Sequence, residues 1–484
     1  MTSTPDPVFG EALRRKRVFG EALRRKREEA GLSLRRLAAL VSYSPGWMSR
    51  IENGLANPTL QMAQLCDRHL SVGDELAALA QRIVADGPGA QLPARIPMQL
   101  PRGAGVLIGR DLDLGFLDRR MADAASSGDS MLVSVEGPAG IGKTALVVQW
   151  AYRVWSRFPD GVLFADLHGH TRGMSPVSPS AVLHVCLTAL GVGAKAIPSG
   201  VARRAALFRT LTSGRQVLIV LDNASNSAQV QALLPGRSAC AVVITSRRRL
   251  TGLAVRDDAS VLSLDPLTES DARDVLHSCV STGYDAGDRT FRVVARQCGC
   301  VPLALRVAGY RLATTRSPSG LVRDLVDPVT RLDPLSDADD SSVCVRTALE
   351  CSYLNLDAAA ARMFRLLSLV PAGLTAAGAA VLGGQPQRSA QRALDGLLDL
   401  HLAGLNGGEY RLGELEVAFA AEKLALEESA AERVAALQRL AVWRERRYLV
   451  FQQAPAADAA SAYALLAGSN RTTLSARTGL VHRG

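Results

Sequence analysis

Gly137-Pro138-Ala139-Gly140-Ile141-Gly142-Lys143-Thr144 fits the pattern G-x-x-x-x-G-K-[ST], and it constrains this 484-residue chain more than any other feature. Such a loop works only between a strand and the start of a helix. The alternating run 131–136 before it reads as a strand, and 145–150 after it carries no breaker and reads as a helix. The glycines let backbone N–H groups converge on phosphate oxygens, and the helix N-terminus adds partial positive charge. Lys143 can then reach the β- and γ-phosphates, and the Thr144 hydroxyl can ligate Mg²⁺. Residues 137–144 are therefore expected to hold the phosphates of a nucleotide.

Three further apolar runs, 161–166, 216–222 and 240–245, alternate with helical stretches and predict a parallel α/β sheet buried on both faces. Asp222 ends its strand and is the natural second Mg²⁺ residue, and Arg247, just past the next strand, can sense a γ-phosphate. A GTPase would need an Asn-Lys-x-Asp base reader, yet no Asn of this chain precedes a Lys. A transporter-type signature is also missing, because Leu382-Gly-Gly-Gln385 lacks the serine and follows Asp222.

Around the loop stand Ile108-Gly109-Arg110, Leu264-Asp-Pro-Leu267 with Glu269 and Ala272, Cys298-Gly-Cys-Val-Pro302-Leu-Ala-Leu305, and Ser352-Tyr353-Leu354-Asn355-Leu356 before Phe364. In this order they closely resemble the NB-ARC type of signal-transduction ATPase (STAND class) over about residues 106–425. The resemblance implies ATP or ADP with Mg²⁺ as cofactors. It also implies a helical domain whose Pro302 touches the adenine side, Gly109 and Arg110 near the adenine, and a winged helix that closes over ADP.

Two departures bear on mechanism. Asn223 follows Asp222 where many relatives have a second acidic residue, and an amide cannot take a proton from the attacking water, so hydrolysis is expected to be slow or negligible. Aligning Tyr410-Arg411 and Leu415 with Phe419-Ala420 puts Gly413-Glu414 where the family uses a His-Asp pair to hold ADP. The imidazole latch is expected to be lost, or replaced by another residue.

Ahead of this unit, residues 1–50 carry eleven basic side chains against five acidic ones, a surplus of six that suggests a polyanion partner. Ser33 is a good N-cap for 34–40, Ser44 caps a helix with Pro45 in first position, Asn53-Gly54 ends it, and Pro58-Thr59 begins another. On the second helix Met48, Ile51 and the trailing Leu55 are expected to face the core with Leu37 and Ala38, which leaves Gly46, Trp47, Ser49 and Arg50 outside. Gly31-Leu-Ser33, Leu37-Ala38, Ser44-Pro45, Ser49-Arg50-Ile51-Glu52 and Gly54 resemble the Cro and phage-repressor-like (XRE-type) helix-turn-helix family. That resemblance places Ser44, Pro45, Gly46, Trp47, Ser49 and Arg50 at double-stranded DNA, with Arg50 suited to a guanine edge. Leu34 stands where the family commonly has a backbone-bracing Gln.

The ten residues VFGEALRRKR occur twice, at 8–17 and 18–27. Ten helical residues fall some 80° short of whole turns, so the copies cannot share one apolar face. The second is expected to fold and the first to be a basic arm.

The division expected is 1–17, a duplicated basic arm without order; 18–86, an all-α helix-turn-helix domain; 87–105, a Pro/Gly-rich linker; 106–258, a P-loop parallel-sheet domain; 259–330, a helical domain; 340–425, a winged helix; and 426–484, a helical segment with a poorly ordered tail. Asp327 to Asp340 forms a polar boundary before the winged helix. His168-Gly-His170 lacks a third ligand for a metal, and Cys298-x-Cys300 lacks a second pair. No apolar run approaches the ~18 residues of a membrane span and no secretion signal opens the chain, so a cytoplasmic location is expected. Relatives commonly carry a long sensing array after the winged helix, so the chain is expected to be truncated there.

These signs together describe a DNA-binding regulator switched by ATP and ADP, self-associating when active and at most a slow ATPase. The rivals are an ATPase doing mechanical work, a defence-type scaffold whose N-terminal domain binds protein, and a decayed relative that only binds nucleotide.

Overall fold

The computed structural model describes residues 7–453 apart from 42, 57, 71, 86–95, 104, 237, 281–286, 315–316 and 337–343. The tail expected to lack order, beyond 453, lies outside the described residues.

Five helices open the chain: α1 (Pro7–Glu29), α2 (Leu34–Leu40), α3 (Pro45–Glu52), α4 (Leu60–Leu70) and α5 (Glu75–Ala85). The caps are where the punctuation puts them. The Ser33 and Ser44 hydroxyls accept from the Arg36 and Trp47 amides, each at 3.2 Å, contacts worth about 1 kcal/mol apiece. Phe19, Leu23, Leu37, Met48 and Ile51 are fully buried in one core. Gly20 lets α1 approach α3 so closely that a Cβ there would stand 2.5 Å from the Ile51 and Glu52 carbonyls. Beside it the buried Arg27 donates to Glu52 through Nε (2.6 Å) and Nη2 (3.1 Å).

Two expectations fail here. Residues 7–17 are not a separate arm; their backbone is the first half of α1, because the repeat is built of helix formers with no proline to stop it. Leu55 does not join the core but is 67% exposed. Helix α3 ends at Glu52, and Gly54, at φ +68°, turns the chain away before the apolar spacing can continue.

The next unit comprises α6 (Asp111–Ser127), β1 (Met131–Glu136), α7 (Lys143–Val154), β2 (Val162–Asp166), α8 (Pro179–Ala189), α9 (Val201–Thr212), β3 (Leu218–Ala224), α10 (Ser227–Gln231), β4 (Ala241–Ser246), α11 (Thr251–Arg256) and β5 (Ser260–Ser263). The five strands form a parallel sheet in the order β2-β3-β4-β1-β5. Alternate strand residues face opposite sides. Val133, Val135, Val220 and Val243 pack with Leu146 and Trp150 of α7, whereas Ile219, Leu221, Val242 and Ile244 pack with Leu183 and Phe208 of α8 and α9. Both faces are thus buried, as the continuous apolar runs require.

Two boundaries move. Residues 260–263, assigned to the helical domain, are the edge strand β5 beside β1; four residues with serine at both ends offer too short a pattern to read. The second half of the supposed linker belongs to the sheet. Met98 bridges Val162, the Val162 amide donates to the Pro97 carbonyl at 2.6 Å, and Gly161, at φ +115°, leaves the room Pro97 occupies.

The remainder is helical: α12 (Glu269–Cys279), α13 (Gly287–Gln297), α14 (Pro302–Thr314), α15 (Pro318–Val326), α16 (Val345–Tyr353), α17 (Ala358–Leu367), α18 (Ala376–Gly383) and α19 (Gln387–Asp399), then the hairpin β6 (Gly404–Asn406) and β7 (Glu409–Arg411), α20 (Glu414–Glu427) and α21 (Ala430–Gln453). Helices followed by a short antiparallel hairpin are the winged-helix order expected for 340–425. The polar stretch after Asp327 does not separate two cores, because Leu332 and Leu335 are fully buried and join Leu276 and Phe291 to Phe364 and Phe419 in one cluster.

Candidate functional site

Loop and cleft. Positive φ at Gly137 (+150°), Gly140 (+75°) and Gly142 (+95°) winds residues 137–142 into the tight turn before α7. A Cβ on Gly140 would lie 2.9 Å from that of Leu303, so the loop and the start of α14 fit only with glycine there. The Leu303 amide donates to the Gly140 carbonyl at 3.1 Å, which ties the helical domain to the loop. Above them opens a cleft of about 450 Å³, lined among others by Ile108, Arg110, residues 140–145, Asp222, Asn223, Thr245, Arg247, Pro302 and Leu303.

The charged groups are already engaged. Lys143 Nζ donates to the Gly137 carbonyl (2.8 Å) and the Pro138 carbonyl (2.7 Å). Its ammonium is pushed down to about 7 by burial and then by the Arg247 charge, against the pull of Asp222. Thr144 Oγ1 donates to Asp222 Oδ1 at 2.8 Å, and Thr245 Oγ1 donates to the same oxygen at 2.6 Å while accepting from the Asn223 amide at 2.9 Å. Two hydroxyls on one oxygen fix the carboxylate. Burial raises the Asp222 carboxyl above its usual range despite both bonds. Arg247 Nη1 donates to the Ala348 carbonyl of α16 at 2.8 Å. An arginine facing the cleft therefore holds the winged-helix region.

The fit to a magnesium nucleotide rests on this chain's own geometry. The loop turns on three glycines at positive φ, a buried ammonium is satisfied only by loop carbonyls, and a hydroxyl–carboxylate pair faces the same cleft. Lys143, Thr144 and Asp222 would hold the phosphates and the ion, whose charge would draw electron density from the terminal phosphate.

The remaining expected residues divide. Pro302 opens α14 and lines the cleft beside Gly142. Arg110 lines it too, yet its guanidinium braces the loop by donating to the Ile141 carbonyl (3.0 Å) and the Asp265 carbonyl (2.9 Å). At Gly109, φ +70°, a Cβ would strike Asp271 rather than a ligand. Glu414 is turned away: Arg331 Nη1 donates to its carboxylate at 3.1 Å. A histidine does stand near the loop. His401, at φ +52°, follows α19, whose Asp399 carbonyl accepts from the Arg249 amide at 2.9 Å; burial and the Lys143 and Arg249 charges push its imidazole down to about 4. Sequence reasoning missed Thr245, although it is the penultimate residue of the strand just before Arg247, and also His401; it weighed His170 only as a metal ligand. No metal-like cluster of His, Cys, Asp or Glu occurs among the described residues.

At the other end of the chain, Ser44, Pro45, Gly46 and Arg50 are exposed at the start and outer face of α3. Trp47 differs from expectation. It is half-buried and stacks on Tyr43 with ring centroids 4.8 Å apart. Ser49 is half-buried as well, and the Asn53 amide reaches its hydroxyl at 3.4 Å.

Residues 18–80 match a family described as a helix-turn-helix domain. The regulatory protein AfsR of Streptomyces coelicolor is 37% identical over 374 residues, covering 75% of this chain and 36% of that protein. AfsR of Streptomyces griseus is 36% identical over 388 residues, covering 79% and 38%. The chain thus spans little more than a third of the length of the curated relatives it matches. Among solved structures, the Walker-type ATPase of Pyrococcus abyssi aligns with a TM-score of 0.46 at 10% identity, over 65% of this chain and 95% of that one. A STAND protein with a tetratricopeptide repeat sensor from Pyrococcus horikoshii aligns with a TM-score of 0.31 at 14% identity, over 71% and 49%. No helix among the described residues is long and apolar enough to cross a membrane. The chain joins an N-terminal helix-turn-helix domain to a parallel-sheet domain that carries a P-loop motif, and is related to the AfsR regulatory proteins.

Proposed function

We propose that this chain is a cytoplasmic transcription regulator in which binding of ATP or ADP with Mg²⁺ sets the state of the DNA-binding end. One observation carries the reading: Arg247 lines the cleft beside Lys143 and Asp222 yet donates to Ala348 of the winged-helix region. A third phosphate offers that guanidinium a charged acceptor in place of a neutral carbonyl, and a charge-assisted bond is roughly twice as strong. The bound nucleotide is thereby coupled to the position of α16. Asn223 supplies no base for water, so the expected chemistry is retention rather than turnover.

On the DNA side, Arg50 would reach a base edge and Ser44 would sit by a phosphate, while Trp47 buttresses the turn. One such reader spans few base pairs, so self-association in the triphosphate state would supply the second copy. The deciding experiment measures affinity for genomic DNA fragments with ADP, with a non-hydrolysable ATP analogue and without nucleotide. The three states should differ in the wild type and not in Lys143→Ala. Equal affinity in all three would end the switch reading. Steady turnover well above about one per minute, set against the roughly ten per second of ordinary enzymes, would favour a working ATPase. Affinity indifferent to salt would favour a protein-binding N-terminal domain, since DNA binding falls with log salt at about −0.9 per phosphate contacted.

A further inference from the structure

The loop after β2 carries His168-Gly-His170, which the metal reading leaves without a role. His170 is 5% exposed. Asn355, in the turn after α16, holds its ring: Asn355 Nδ2 donates to the Cys351 carbonyl at 2.7 Å and lies 3.3 Å from His170 Nδ1. The carbonyl contact decides which end of the amide points there, since a flipped amide would set two carbonyl oxygens against each other. Nδ2 carries only donor hydrogens, so His170 Nδ1 must accept. The proton of the neutral ring is then on Nε2, and Nε2 is buried with no partner. A buried donor left unpaired carries a desolvation cost and calls for an acceptor.

The topology says where that acceptor belongs. The sheet order runs from β1, which leads into the loop, through β4 to β3 and β2, so the β2 and β3 ends lie on the Thr245 and Asp222 side of the loop and away from β5. The Gly169 amide donates to the Asn223 carbonyl at 2.7 Å, and Asn223 Nδ2 donates to Thr171 Oγ1 at 3.1 Å, so residues 168–171 back the cleft wall next to Asp222. Burial and then the charges of Arg247, Lys143 and Arg248 push the imidazole down to about 3, so the ring stays neutral and an anion is what those charges lack.

We propose that His170 is a binding residue for the third phosphate, its Nε2–H being the donor kept for a terminal oxygen of a nucleoside triphosphate. The residue cannot serve as the missing base, because its one free lone pair, on Nδ1, is taken by Asn355. The inference rests on the nucleotide site proposed above, and it makes the β2 loop, with Arg247, the part of the molecule that tells triphosphate from diphosphate.

The test is calorimetric titration of the full chain with Mg–ADP and with Mg–adenylyl imidodiphosphate. His170→Phe keeps the ring shape and should lose about tenfold of its affinity for the triphosphate analogue relative to ADP, the scale of one hydrogen bond to a charged group. His170→Gln, which can present an amide N–H near Nε2, should recover most of that preference. Asn355→Ala removes the amide that fixes the tautomer, so it should lose part of the triphosphate preference while the affinity for ADP holds. If His170→Phe retains the wild-type ratio of the two affinities, or His170→Gln loses it as far as a misfolded His170→Phe would, the inference falls. If the wild type binds neither adenylate, it is the nucleotide site itself that fails.

Discussion

Nucleotide affinity should weaken as pH rises from neutral into the alkaline range, because Lys143 enters the ligand-free site only partly charged. Its ammonium sits at about 7 when the cleft holds no phosphate. A bound phosphate oxygen favours the charged form, so binding raises that value and takes up a proton wherever the free lysine is neutral. The sign follows. Below pH 7 the lysine is charged before and after binding and affinity is flat; above it each pH unit costs up to tenfold. Between pH 7.5 and 9 the loss is roughly 25-fold, about 1.9 kcal/mol, across a window in which a terminal phosphate is already ionised. Calorimetry with Mg–ADP in two buffers of different ionisation enthalpy should show uptake approaching one proton at pH 8.5. Lys143→Arg, charged throughout, should be pH-independent whatever its absolute affinity. Flat wild-type affinity over this window without proton uptake would refute the reasoning, because Lys143 would then be charged in the free protein.

Three further outcomes are expected. Gly140→Ala should lose most nucleotide affinity while the fold survives, since a Cβ 2.9 Å from that of Leu303 at φ +75° forces the loop and α14 apart; unchanged titration would show that the loop can yield. Glu52→Ala strands a buried guanidinium and should destabilise the helix-turn-helix domain by about 3 kcal/mol or more, read by hydrogen exchange of the α1 and α3 amides; a change within about 0.5 kcal/mol would mean that water reaches Arg27. Deleting residues 8–17 should leave α1 starting at Val18 with its buried Phe19 and Leu23 intact, so the melting temperature should hold while DNA affinity drops modestly; lost stability would show that the first copy packs.

Strong local patterns carried the reading where they existed. The phosphate loop, the strands around it, the serine caps of α2 and α3 and the regulator class all rest on residues adjacent in sequence, where spacing and chain stereochemistry leave few alternatives. Where the pattern was short or its partner distant, reading failed. Residues 260–263 are too few to show a period, and the Pro97 contact that turns half the linker into sheet edge depends on Gly161, 64 positions away. Leu55 had the right spacing, but the helix had already ended.

By itself the sequence determined that a glycine-rich loop joins a strand to a helix, that Thr144 and Asp222 belong to the same parallel-sheet domain, and that a helix-turn-helix precedes them. Only the tertiary structure decided what connects these parts. Arg247 meets Ala348 across 101 residues, and His170 meets Asn355 across 185. No local rule specifies such pairs, because they exist only once the sheet has set the ends of β2, β3 and β4 side by side and the shared helical core has carried α16 onto them.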